Sequence, residues 1–224
     1  SAASDVYKRQ LTYSELRELS YIGAQVLHER AVFPVREKNI PLNIRNTNEP
    51  DHPGTMIMRD IDDSTEQNRS FITGIAGRKG YTVITLSKTG MSSTPGVLRR
   101  ILEIFEKANV NVEYVPSGID SLSLVVSSAS VADCLYSLLG ELERSIKPDH
   151  IKTESDLAVV AAVGRRMAFR PGISGKIFAA LGENGVNIRM ITQGPEELNI
   201  IVGVEEKDFE QAIRVLYNSF ATIR

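Results

Sequence analysis

Cysteine is almost missing from this chain: Cys134 stands alone, so no internal disulfide can staple the fold. Histidine is nearly as sparse. His28, His52 and His150 lie far apart, and with one thiol they give no metal-ligand spacing, so no metal site is expected. Positive charge is not in excess either. The 26 Lys and Arg against 28 Asp and Glu give a formal net charge of −2, and no run forms a basic stripe. That balance argues against nucleic acid or an anionic membrane as a partner. No apolar stretch approaches the ~20 residues that span a bilayer, and residues 1–10 lack the apolar centre of a secretory signal. Those ten residues match nothing that follows and are read as a leader. The absences together lead to the expectation of a soluble, cytoplasmic protein.

What the chain does have is an internal repeat, the first thing to look for when assigning architecture. Its 224 residues, 42% of them hydrophobic, suffice for two domains or one large one with ordinary cores. Pro95 to Val126 (PGVLRRILEIFEKANVNVEYVPSGIDSLSLVV) aligns without a gap on Pro171 to Val202 (PGISGKIFAALGENGVNIRMITQGPEELNIIV), 76 residues later. The pairs Pro95/Pro171, Gly96/Gly172, Ile101/Ile177, Val110/Val186, Asn111/Asn187, Gly118/Gly194, Leu122/Leu198 and Val126/Val202 are identical. A gapless match that keeps both glycines and the Val-Asn pair is not a chance likeness of two apolar patterns.

Each repeat reads as the same series of elements. Thr82 to Leu86 and Leu157 to Val163 are apolar runs that suit strands. Each leads through a loop to Pro-Gly and a helical pattern. Val97, Ile101, Leu102, Phe105 and Ala108 share one face in the first, and Ile173, Ile177, Ala180 and Leu181 in the second. Asn109 and Gly185 are helix stops. Strands follow at Asn111–Val115 with Leu122–Ser127, and at Asn187–Thr192 with Leu198–Val204, then helices near Val131–Ser145 and Lys207–Phe220. The order βαββα points to an α+β class made of two ferredoxin-like units. His150 to Glu154 supplies the first unit's fourth strand. The second unit has no chain left for one, whereas Phe71 to Ala76 is an unclaimed strand-like run upstream. The first unit is therefore expected to be inserted in the second.

Ahead of the repeats, Thr12-x-x-Glu15 is a capping box, with Leu16, Leu19, Val26 and Leu27 giving the helix a buried face. Pro41 to Ile44 is a short strand, and Pro50, Pro53 and Gly54 mark a turn. Gly74-Ile75-Ala76-Gly77-Arg78-Lys79-Gly80 is the nearest thing to a phosphate loop, but it lacks the spacing GxxxxGK followed by Ser or Thr.

The strand, Pro-Gly, helix and "VNV" order, twice over, resembles ACT domains, which bind free amino acids and regulate metabolic enzymes. Leu11 to Thr55 (LTYSELRELSYIGAQVLHERAVFPVREKNIPLNIRNTNEPDHPGT) resembles the C-terminal end of the aspartate kinase catalytic domain, where a "GAKVLH" helix precedes an "IP…I.NT..P…GT" strand and turn. Met167 to Ile200 is similar to that family's second ACT domain. The resemblance implies a kinase-domain remnant over 11–68, a first ACT domain over 80–154, and a second over 70–79 plus 155–224. It implies no catalytic residue in this chain, since the groups that position charge for phosphoryl transfer are mostly missing. ATP and Mg would serve the complete enzyme. Where many relatives have lysine in "GAKVLH", associated with the nucleotide site, this chain has Gln25.

The resemblance also implies an effector site in the first ACT domain, formed by Met91, Thr94, Gly96, Val97, Leu98, Val112, Glu113 and Ser117, with Asp120 close by in the hairpin return. A ligand carboxylate needs backbone N–H groups at a helix N-terminus, and a ligand ammonium needs an acceptor such as Glu113. Lysine-sensitive relatives carry an acidic residue at the Glu113 position, whereas the second repeat has Arg189 there. Lysine, alone or jointly with threonine, is thus the expected effector, acting by feedback on a homodimer joined through ACT domains. The alternative is a constitutive ACT dimerisation module.

Overall fold

The structure is a computed structural model that describes residues 10–24, 29–59, 61, 72–165, 167, 171–193 and 198–221. The chain forms two units, Ser1–Arg78 with Val159–Arg224, and Lys79–Ala158 between them.

In the first unit, β1 (Gln10–Thr12) leads directly into α1 (Tyr13–Ile22), and α2 (Glu29–Glu37), β2 (Leu42–Ile44) and β3 (Thr55–Met58) follow. These strands form a small sheet in the order β1-β3-β2, with β1 parallel and β2 antiparallel to β3. Tyr13, Leu16 and Ile57 form its core, with Leu11, Val32, Val35, Leu42 and Ile44 packed around them. The capping box forms as expected: the Thr12 side chain accepts from the Glu15 N–H, and Glu15 reaches back to the Thr12 N–H. The helix stops sooner than the apolar pattern indicates, because Gly23 takes a φ of 132°. Val26 and Leu27 lie outside the described residues. Pro34 sits inside α2, a helix that the sequence pattern did not indicate.

Lys79–Ala158 contains the greater part of β4 (Gly74–Ser87), then α3 (Val97–Lys107), β5 (Val112–Tyr114), β6 (Ser121–Ser127), α4 (Ser128–Val131), α5 (Leu135–Ile146) and the first part of β7 (His150–Val163). Its strand order is β5-β6-β4-β7. Ile84, Leu86, Leu122, Leu124 and Val126 line one sheet face and pack on Ile101 and Phe105 of α3 and Leu138 and Leu142 of α5. Burial of each such side chain contributes about 1.5–3 kcal/mol. The expected second helix is two: the chain turns after Val131, and Cys134, half-buried against the core, begins α5.

The rest of the first unit holds the second ferredoxin-like set: the start of β4, the end of β7, α6 (Ile173–Glu183), β8 (Met190–Thr192), β9 (Asn199–Glu205) and α7 (Phe209–Ala221). The strand order here is β4-β7-β9-β8, and the Thr73 N–H donates to the Val163 carbonyl at 2.6 Å. The fold is α+β, with two ferredoxin-like sets of elements, the one over Lys79–Ala158 inserted in the other.

The strands expected separately at Phe71 to Ala76 and at Thr82 to Leu86 are one 14-residue strand, although Phe71 itself lies outside the described residues. His150 to Glu154 and Leu157 to Val163 likewise merge into one 14-residue strand. Gly80 (φ 87°) and Asp156 (φ 59°) take up the left-handed backbone within these strands, so the residues that read as breaks are absorbed as local irregularities.

Candidate functional site

The loop from Lys88 to Gly96 joins β4 to α3 and is held by two carboxylates from elsewhere in the same unit. Asp149 Oδ2 accepts from the Thr89 N–H at 2.7 Å and from its hydroxyl at 2.9 Å. Asp120 Oδ1 accepts from the Gly90 N–H at 2.9 Å. The Asp149 carboxyl is held below its ordinary range, first by the backbone donor of Thr89 and then by its hydroxyl. Within the loop the Thr94 hydroxyl donates to the Gly90 carbonyl at 2.9 Å, and the Thr94 N–H to the Met91 carbonyl at 3.3 Å.

The loop ends at Gly96, which begins α3 with a φ of 78° and no side-chain cap. That backbone is one that glycine adopts without strain. The first N–H groups of α3 are thus not capped by the residue ahead of the helix, which suits an anion such as a carboxylate. Val97 is buried in the core, so it offers a ligand its backbone rather than its side chain, while Leu98 is exposed. Met91 packs half-buried against the same core.

Val112 and Glu113 are placed differently. Val112 pairs with Val126 and packs toward the helices. The register shifts between Val112 and Tyr114, so Glu113 sits at an irregularity of β5. Its Oε2 accepts from the Tyr81 hydroxyl at 2.9 Å. Ser117 is exposed and bridges to Leu122 in the hairpin return, and Gly118 donates to the Ser121 carbonyl at 2.8 Å. The structure therefore joins Met91, Thr94, Gly96, Val97, Leu98 and Asp120 around one loop. Glu113 joins a different partner, Tyr81. Sequence reading missed Tyr81, Thr89 and Asp149, because Thr89 and Asp149 meet across 60 residues and Tyr81 and Glu113 across 32.

The second repeat lacks an equivalent carboxylate. Arg189 Nη1 lies 3.3 Å from Glu205 Oε1, and Lys207 lies 2.6 Å from Glu205 Oε2. The Glu205 carboxyl is lowered chiefly by Lys207 and then by Arg189.

Gly74 to Gly80 lie on β4 rather than on a loop. A β carbon on Gly74 would lie 2.9 Å from Leu19, and one on Gly77 would lie 2.6 Å from the Phe209 ring. These glycines serve close packing, and they do not form a phosphate cradle. Gln25 lies outside the described residues. Among the described residues no group of His, Cys, Asp and Glu is arranged for a metal ion, and no helix is long and apolar enough to cross a membrane.

Comparison with known proteins agrees with this architecture. The family model described as ACT domain matches residues 160–220. Aspartokinase 3 of Bacillus subtilis is 35% identical over 212 residues, which cover 94% of this chain and 46% of that protein. The structure of aspartate kinase from Clostridium acetobutylicum is 47% identical with a TM-score of 0.85, covering 94% of this chain and 47% of that one. E. coli aspartokinase III in complex with lysine and aspartate (T-state) is 26% identical with a TM-score of 0.74, covering 94% of this chain and 46% of that one. A structure of aspartokinase alpha and beta subunits is 32% identical with a TM-score of 0.59, covering 66% of this chain and 98% of that one. The chain thus spans about half the length of aspartokinase 3.

Proposed function

Because the chain belongs to the aspartokinase family, we propose that it is the family's regulatory region, binding an end-product amino acid in the unit Lys79–Ala158 for feedback control. The effector lies across two paired copies of this unit, its carboxylate on the N–H groups that open α3 beside Thr94 and Gly96 of one copy and its ammonium on Glu113 of the other. Residues 80–154 act as the sensing ACT domain, and 70–79 with 155–224 as a second one. Residues 11–68 belong to the end of a catalytic domain that phosphorylates aspartate with ATP and Mg in the whole enzyme. Among the described residues Gly74 to Gly80 lie on a strand and form no phosphate cradle, so no phosphoryl-transfer step is assigned to them. The cytoplasm is its proposed location and a homodimer its proposed state.

The observation that carries this reading is the contrast between the repeats. Glu113 is half-buried and accepts from an uncharged tyrosine hydroxyl, leaving its carboxylate able to meet a cation. Its counterpart Arg189 is a cation already paired with Glu205. Lysine is favoured as effector, in keeping with the lysine held by the E. coli relative, and threonine is the joint effector to test. Feedback follows if lysine binds two arrangements of the enzyme unequally. Isothermal calorimetry with lysine, threonine and both is the test: saturable heat with lysine is expected, and no heat at millimolar concentrations of any of them overturns the reading.

The second reading is constitutive dimerisation through the same unit. Ile119 and Tyr136 favour it, being 78% and 89% exposed on Lys79–Ala158. A tight dimer that ignores all the amino acids tested is the outcome expected of it.

A further inference from the structure

We infer that Tyr81 is a positioning residue of the effector site, its hydroxyl holding the Glu113 carboxylate in place for the ammonium group of a cationic amino acid. The inference rests on the effector reading above and adds a residue to it.

Tyr81 is at the right place in the sheet to do this. It pairs with Ser127 of β6 on one edge, while β5 pairs with the other edge of β6 through Val112 and Val126. The hydrogen bond from the Tyr81 hydroxyl to Glu113 Oε2, 2.9 Å, therefore reaches across the intervening strand. The ring is 2% exposed, so packing fixes the hydroxyl that points at the carboxylate. The register shift between Val112 and Tyr114 takes Glu113 out of regular alternation, and such irregularities re-aim a side chain.

The chemistry of the pair suits a cationic ligand. A carboxylate has about four lone-pair sites, and the Tyr81 hydroxyl occupies one of them. Among the described residues no Lys or Arg pairs with Glu113. A glutamate that is pinned beforehand has less rotamer freedom to lose when the ligand arrives. The repeat gives a second, independent argument. At the same offset of 76 residues, Leu157 stands for Tyr81 and Arg189 for Glu113. Hydroxyl and carboxylate are both replaced in the second repeat, as expected of two groups that act as a pair.

The test is a double-mutant cycle on lysine binding with Tyr81→Phe, Glu113→Gln and the double variant, using calorimetry on the whole chain. Tyr81→Phe keeps the buried ring and removes only the hydroxyl, and circular dichroism checks that each variant is folded. Tyr81→Phe is expected to weaken lysine binding about tenfold. Glu113→Gln is expected to weaken it further, and the double variant to bind no worse than Glu113→Gln. Additive losses, or a Tyr81→Phe protein that binds lysine like the wild type, overturn the inference while leaving the effector reading in place. A wild-type protein that binds neither lysine nor threonine overturns the effector reading itself, and this inference falls with it.

Discussion

At the scale of single residues, the first unit depends on groups that leave no room for substitution. Glu15 is fully buried, and its oxygens accept from the Thr12 N–H and hydroxyl at 2.8 and 2.9 Å and from the Thr73 hydroxyl. Arg165 Nε lies 3.3 Å away with its side chain 14% exposed. Removing one partner of a buried pair costs about 3–5 kcal/mol, because the remaining charge is left in an apolar place. Glu15→Ala is expected to lose about that much in urea unfolding, and Glu15→Gln less, since an amide oxygen can still accept from Thr12 and Thr73. Gly77 is constrained by space. A β carbon there would lie 2.6 Å from the Phe209 ring and 2.8 Å from the Val159 carbonyl oxygen. Gly77→Ala is expected to lower stability by about 1–3 kcal/mol through overpacking, read from the same urea transition. Both residues were visible in the sequence, but only in part. Glu15 reads as part of a capping box, which it forms, while nothing local points to its distant partners Thr73 and Arg165. Gly77 reads locally as part of the segment nearest to a phosphate loop, because close packing against Phe209, more than a hundred positions away, leaves no local pattern.

At the scale of elements, the loop before α3 is expected to loosen at low pH, because a carboxylate holds it. Asp149 accepts two hydrogen bonds from Thr89, and these lower its carboxyl below the ordinary value of about 3.9. Lys88 and His150 lower it further by their charge. A group whose pKa is depressed by folding stabilises the folded state above its unfolded pKa, and that contribution is lost as pH falls through the lower folded value. The loop is therefore expected to keep its amide protection from neutral pH down to about 4 and to lose it below. Hydrogen exchange at Thr89 measures this, and Asp149→Asn is expected to flatten the dependence. An equal fall in that variant would assign the titration to another group. The elements show clearly what the sequence made legible. Helices α3 and α6 are readable because their apolar residues recur at helical spacing on one buried face, and β6 and β9 because they are short apolar runs, β9 being buried continuously from Ile200 to Val204. The breaks within β4 and β7 were misplaced, since Gly80 and Asp156 look like strand ends when strand continuity depends on partners far along the chain. Helix α2 was missed for the opposite reason: Pro34 disfavours a helix locally, and packing of Val32 and Val35 on the small core overrides it.

At the scale of the whole molecule, the two functional readings differ in which linkage governs stability. An effector that binds only the folded chain stabilises it by about 2.7 kcal/mol when free ligand is a hundred times its Kd. For a chain of this length each kcal/mol moves the melting midpoint by about 2–4 °C, so lysine is expected to raise it by roughly 5–10 °C. Glu113→Gln is expected to remove most of that shift, because the carboxylate that meets the ammonium is gone. A constitutive dimer behaves otherwise. Its midpoint rises with protein concentration and is indifferent to lysine, because the partner chain is then the ligand. Scanning calorimetry over a range of protein concentrations, with and without lysine, separates the two. A midpoint that follows lysine in the wild type but not in Glu113→Gln identifies a sensor. One that follows only protein concentration identifies an assembly module, with exposed apolar groups such as Ile119 and Tyr136 rather than Glu113 as the residues to mutate next.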